Sequence, residues 1–288
     1  MTDQALDRRL HAYRPDLADR RLEGRVAAAR FVEGEPCRVA VPVAPLRRAP
    51  EPDAMQETEA LFGEGVRVFE TRAEDGWAWA QLDTDGYVGW MAAGDLGAPG
   101  AAPTHRVAAP STLLFPGPDI KRPVLAHLPM GALLATVGEA SDHNATYALV
   151  EPEGAVVVQH LLGMDAALPD FVATAERWLG APYLWGGKTA AGTDCSGLVQ
   201  AALHMAGMAA PRDTDMQEAV LGTGLPEGES LRRGDLVFWR GHVGLMLDAE
   251  RLLHANAFHM AVTIEPLAET RRRFEAKGVF VTSRKRLG

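Results

Sequence analysis

The clearest periodicity lies in the C-terminal part of the chain. From Pro169, apolar side chains recur at helical spacing at Phe171, Ala175, Trp178 and Leu179, and Gly180 followed by Pro182 marks a helix stop. A second stripe of Leu198, Val199, Ala202, Leu203 and Ala206 starts at Cys195 and is closed by Gly207. Apolar runs at 236–239, 242–247, 252–255 and 279–282 then read as strands. Helices followed by an antiparallel sheet predict an α+β domain over residues 166–288.

Upstream the pattern changes. Short β-type runs at 66–69, 77–82 and 87–91, with Asp85-Gly86 as a turn signal, predict a small β-barrel over residues 35–97, preceded by a helical or irregular lead at 1–34. The stretch Gly97-Ala98-Pro99-Gly100-Ala101-Ala102-Pro103 neither packs nor propagates structure, and residues 98–104 read as a linker. A weaker copy follows over 105–165: Ala132-Leu133-Leu134 and Tyr147-Ala148-Leu149-Val150 answer the earlier runs. The matches Gly65/Gly131 and Gly86/Gly154 set offsets of 66 and 68 residues.

Charge narrows the function classes. With 29 basic against 38 acidic residues in 288, the net charge of -9 disfavours nucleic acid and anionic membranes as partners. The N-terminal stretch, with Asp3, Asp7, Arg8, Arg9, Arg14 and Asp16, has no continuous apolar run, so a secretory signal is not expected and the cytoplasm is the expected location. No segment approaches the ~18 apolar residues of a membrane helix. Cys37 and Cys195 are the only cysteines and fall in different predicted domains, and the histidines show no zinc spacing. Neither a disulfide scaffold, a metal nor a cofactor is expected.

Candidate chemistry centres on Gly192-Thr193-Asp194-Cys195-Ser196-Gly197. A cap at Thr193 or Asp194 places Cys195 in the first helical turn, where the helix dipole and free amides favour a thiolate. A nucleophilic thiol needs a base, and the base an orienting partner. His242 opens one predicted strand and His254 lies in the next, across a turn at Asp248-Ala249-Glu250. A three-residue loop pairs residues whose numbers sum to 498, so His254 faces Gly244 and lies diagonal to His242 on one sheet face. A two-residue loop would separate them.

The run Pro182-Tyr183-Leu184-Trp185-Gly186-Gly187, then Gly192 to Val199, then Gly234-Asp235-Leu236-Val237-Phe238-Trp239 with His242-Val243-Gly244 and His254-Ala255, resembles the NlpC-type cysteine peptidases of bacterial cell walls. The resemblance implies a papain-like catalytic domain with Cys195 as nucleophile, His242 as base, His254 as orienting residue and Tyr183 on the oxyanion side. Two SH3-like barrels ahead of it resemble a narrower group, dipeptidyl-peptidases that cut γ-D-glutamyl-diamino-acid bonds of murein peptides with a free N-terminal L-alanine, which implies recycling of those peptides. In that group acidic and tyrosine groups read the α-amine; Asp213, Ser196 and Tyr183 match, and the first barrel offers Tyr87 with Glu57 or Glu59, although Met55 stands near the matching place. Asp213 equally suits the N-cap of a helix over the following residues. A general wall endopeptidase, an acyltransferase using the same thioester, and a non-catalytic wall-binding protein are the rival readings.

Overall fold

The computed structural model describes residues 6–288, so residues 1–5, Asp3 among them, lie outside the described residues. Two units divide the chain between Met164 and Asp165. In the first, alternating apolar residues build a seven-stranded antiparallel sheet in the order Gln56–Leu61, Val43–Arg47, Val88–Ala92, Trp77–Leu82, Gly65–Arg72, Glu35–Val39 and Leu96–Gly97. Val39, Leu46, Val66, Ala80 and Met91 form its core, each large side chain contributing about 1.5–3 kcal/mol by leaving water. The ladder is open at both edge strands, where a closed barrel was expected.

The described part of the lead, residues 6–34, is an irregular strap, and among those residues the longest regular piece is a short 3-10 turn at Arg20–Leu22. Ala12 and Leu17 bury against Phe69, Trp79 and Trp90, and the Arg14 guanidinium lies 4.3 Å from the Trp79 ring and 5.0 Å from that of Trp90.

Residues 105–163 form three smaller ladders, yet they repeat the hydrogen bonding of the first sheet. The Gly63 amide donates to the Val39 carbonyl as Gly131 does to Val107, and Phe62 donates to Pro42 as Met130 does to Pro110. Both glycines are left-handed, with φ of 79° and 90°, a conformation that glycine adopts without steric cost. The equivalence is therefore Gly63/Gly131, an offset of 68 at this turn as at Gly86/Gly154, which corrects the pairing Gly65/Gly131.

The second unit begins with helix α1 (Phe171–Glu176), whose N-cap Asp170 accepts from the Val172 and Ala173 amides. It is shorter than the stripe through Leu179 predicted. Helix α2 (Cys195–Met205) is buried nearly all round and ends ahead of Gly207; α3 (Thr214–Val220) follows. The sheet comprises β1 (Thr223–Gly224), β2 (Leu236–Trp239), β3 (His242–Met246), β4 (Arg251–Asn256), β5 (Ala261–Pro266) and β6 (Val281–Arg286), in the antiparallel order β1-β6-β2-β3-β4-β5. Helix α4 (Leu267–Glu275) joins β5 to β6. The α+β arrangement is as expected, with β1, β5 and α4 additional to the predicted elements. Helix α2 packs against β3 and β4.

Candidate active site

Cys195 is the first residue of α2, and the start of that helix is held on several sides. Asp194 caps it, accepting the Gly197 amide at 2.7 Å, and its other oxygen accepts the Gly186 amide at 2.9 Å. That second bond draws the loop Trp185-Gly186-Gly187 onto the helix. A Cβ on Gly197 would stand 2.2 Å from the Gly187 carbonyl oxygen, so only glycine permits the approach. Arg212 completes the clamp, donating to both Asp194 oxygens at 2.9 and 2.6 Å, to Ser196 Oγ at 3.0 Å and to the Gly187 carbonyl at 3.2 Å.

The Cys195 sulfur contacts Thr214 Oγ1 at 3.8 Å and accepts the Val243 amide, which belongs to the residue after His242. Burial, and next the charge of Asp194, push the thiol up to about 11. Burial and the adjacent carboxylate thus oppose the thiolate that the helix start favours.

The imidazoles are placed by strand register. Leu245 pairs with Leu253 and Met246 with Leu252, so partners sum to 498. His242 Nε2 lies 2.8 Å from His254 Nδ1. His254 Nε2 in turn lies 2.7 Å from Glu265 Oε1, and Arg273 donates to Glu265 Oε2 at 2.9 Å. The Phe274 ring stacks on His242 at 5.2 Å between centroids. Burial, then the neighbouring His254, lower His242 to about 3. His254 is lowered by burial, partly offset by Glu265. Although burial pushes Glu265 up, hydrogen bonds from His254 and Arg273 hold it well below the usual carboxylate range.

Glu265, Arg273 and Arg212 were not singled out from the sequence. The alternation Val262, Ile264 in Ala261–Pro266 is a strand signal that would have brought in Glu265. Arg212 is adjacent to the chosen Asp213.

The remaining candidates fall in different settings. Tyr183 is half-buried and bridges to Thr193; burial, then the charges of Cys195 and Asp194, push its hydroxyl upward, so it lies within electrostatic range of the thiol. Ser196 is buried within the Arg212–Asp194 clamp, donating to Asp194 Oδ1 at 3.3 Å. Asp213 is the N-cap residue of α3, yet its side chain makes no capping bond. Tyr87, at 1% exposure, packs with the core residues of the first sheet. In the same sheet Glu57 is paired with Arg48 and Glu59 is buried, whereas Met55 is 48% exposed.

Among the described residues no cluster of three or more His, Cys, Asp or Glu suits a metal ion, and no helix is long and apolar enough to cross a membrane.

Residues 180–276 match the family model NlpC/P60, and residues 46–96 match that of the bacterial dipeptidyl-peptidase SH3 domain. The chain is 29% identical over 242 residues to a gamma-D-glutamyl-L-lysine dipeptidyl-peptidase of Bacillus subtilis, covering 76% of this chain and 78% of that one. It is 25% identical over 251 residues to a protein of the same name from Bacillus cereus, covering 73% and 70%. A crystal structure of an NlpC/P60 family protein from Bacillus cereus superposes with a TM-score of 0.72 at 20% identity, covering 88% of this chain and 99% of that one; it shows a shared fold. Fold and thiol together define a papain-like cysteine peptidase. The chain carries an NlpC/P60 domain together with a dipeptidyl-peptidase-type SH3 domain, and it is a cysteine peptidase.

Proposed function

We propose that this peptidase hydrolyses the γ-D-glutamyl-diamino-acid bond of murein peptides that carry a free N-terminal L-alanine, as in their recycling. The names of the two Bacillus relatives support the bond; the observation that carries the machinery is the 2.8 Å contact between His242 Nε2 and His254 Nδ1. With Nε2 engaged, Nδ1 of His242 is the basic nitrogen, and the Val243 amide holds the sulfur beside that strand. The S–H proton passes to Nδ1 as sulfur attacks the γ-carbonyl. Because Asp194 consumes the Gly197 amide, the oxyanion falls to the backbone amide of Cys195, with Tyr183 alongside. The imidazolium protonates the leaving amine, and water hydrolyses the thioester. Residues 105–163 are read as a second, degenerate SH3-like module on the strength of the 68-residue repeat.

The test is incubation with L-Ala-γ-D-Glu-L-Lys and its diaminopimelate counterpart, reading release of L-Ala-D-Glu. Cys195→Ala is expected to abolish release while Cys37→Ser leaves it nearly unchanged. Appreciable turnover by folded Cys195→Ala overturns the nucleophile, and no release by the parent protein overturns the substrate.

A further inference from the structure

We infer that Glu265 is a positioning residue that sets, through two imidazoles in series, which nitrogen of His242 is free to act as base. The inference deepens the reading of His242 and His254 given above and rests on it for its kinetic consequence.

A carboxylate only accepts hydrogen bonds, so the His254 nitrogen 2.7 Å from Glu265 Oε1 must carry a proton. That nitrogen is Nε2. A neutral imidazole has one N–H, which leaves Nδ1 of His254 as an acceptor. The 2.8 Å contact with His242 then requires its donor to be His242 Nε2–H. Nδ1 of His242 is thereby left unprotonated, with its lone pair available. Reversing the first contact reverses every later one, protonating Nδ1 and removing the base. Arg273, bonded to both Glu265 oxygens, keeps that carboxylate an acceptor. The placement is a property of the hairpin: Leu252 pairs with Glu265, so Glu265 and His254 share a sheet face one diagonal step apart. Phe274, next to Arg273 on α4, stacks on His242 and holds its ring plane.

The test is 15N NMR of histidine-labelled full-length protein at neutral pH, which distinguishes the Nδ1–H and Nε2–H tautomers. His242 and His254 are both expected as Nε2–H. Either one found as Nδ1–H in the parent protein overturns the proposal, whatever the fate of any variant and whether or not Cys195 is the nucleophile. In Glu265→Gln, Arg273 draws the amide oxygen and turns the amide nitrogen toward His254. The Nδ1–H form of His242 should then appear and kcat should fall roughly 10–100-fold, with KM changed little. A folded Glu265→Gln with unaltered tautomers and kcat within twofold of the parent overturns it equally.

Discussion

Arg212 grips both carboxylate oxygens of Asp194, at 2.9 and 2.6 Å, with its side chain only 1% exposed. The pair lies one residue from the thiol and bonds the helix start, the Gly187 carbonyl and Ser196 into one unit. Removing the cation alone strands a buried carboxylate, which costs on the order of 3–5 kcal/mol. Arg212→Met is therefore expected to lose about that much stability in urea unfolding. Arg212→Lys should recover only part, because one ammonium cannot span the fork that guanidinium fills. A loss below about 1 kcal/mol for Arg212→Met would show that the pair is not the clamp described.

A second expectation follows from the resting charge state. The thiol is pushed up to about 11 and His242 down to about 3, so between those values both groups are neutral. A raised thiol pKa means that the thiolate fraction grows with pH throughout the neutral range, roughly tenfold per unit. In a Cys37→Ser background, alkylation of Cys195 by iodoacetamide should accelerate about 100-fold between pH 7 and 9. A flat profile would mean a preformed thiolate-imidazolium pair.

The role of His254 is separable from its bulk. Asparagine can present its amide oxygen where Nδ1 stands and still accept from His242 Nε2, though it cannot reach Glu265; alanine does neither. His254→Asn should retain at least about tenfold more kcat than His254→Ala, within the roughly 10–100-fold range for such supporting contacts. Equal losses in steady-state kinetics would count against the orienting role.

The elements that carry the site were readable where burial imposes a period. The α2 stripe and the register of β3 against β4 follow from apolar spacing and loop length, and these determine where Cys195, His242 and His254 stand. Helix α4 escaped notice because Leu267–Glu275 is mostly charged, with Thr270 its one buried residue, so no apolar stripe announces it. Its residues Arg273 and Phe274 were hidden with it. Tyr87 shows a different limit. A tyrosine after a turn reads the same whether it points to solvent or to the core, and only the packed sheet shows that it points inward. Arg212 was overlooked because the sequence shows charges but not which carboxylate each will meet.

The last expectation concerns the substrate amine and Asp213. This residue immediately precedes Thr214, whose hydroxyl meets the Cys195 sulfur at 3.8 Å, and it is half-buried at the head of α3 without using its side chain as a cap. Amine recognition by this side chain is the proposal to be tested against the capping role that the sequence leaves open. An ammonium entering such a site loses water, and a carboxylate compensates; a neutral N-acetyl group loses water without that compensation. Because Asp213 is only half-buried, the lower end of the buried-pair range applies, about 3 kcal/mol, or roughly two decades in kcat/KM. N-acetyl-L-Ala-γ-D-Glu-L-Lys should therefore be cleaved about 100-fold less efficiently than the free-amine peptide. Asp213→Asn should narrow that gap by slowing the free-amine peptide most while leaving the acetylated one nearly unchanged. Comparable kcat/KM for the two peptides in the parent enzyme would remove Asp213 from amine recognition and return the activity to a general wall endopeptidase.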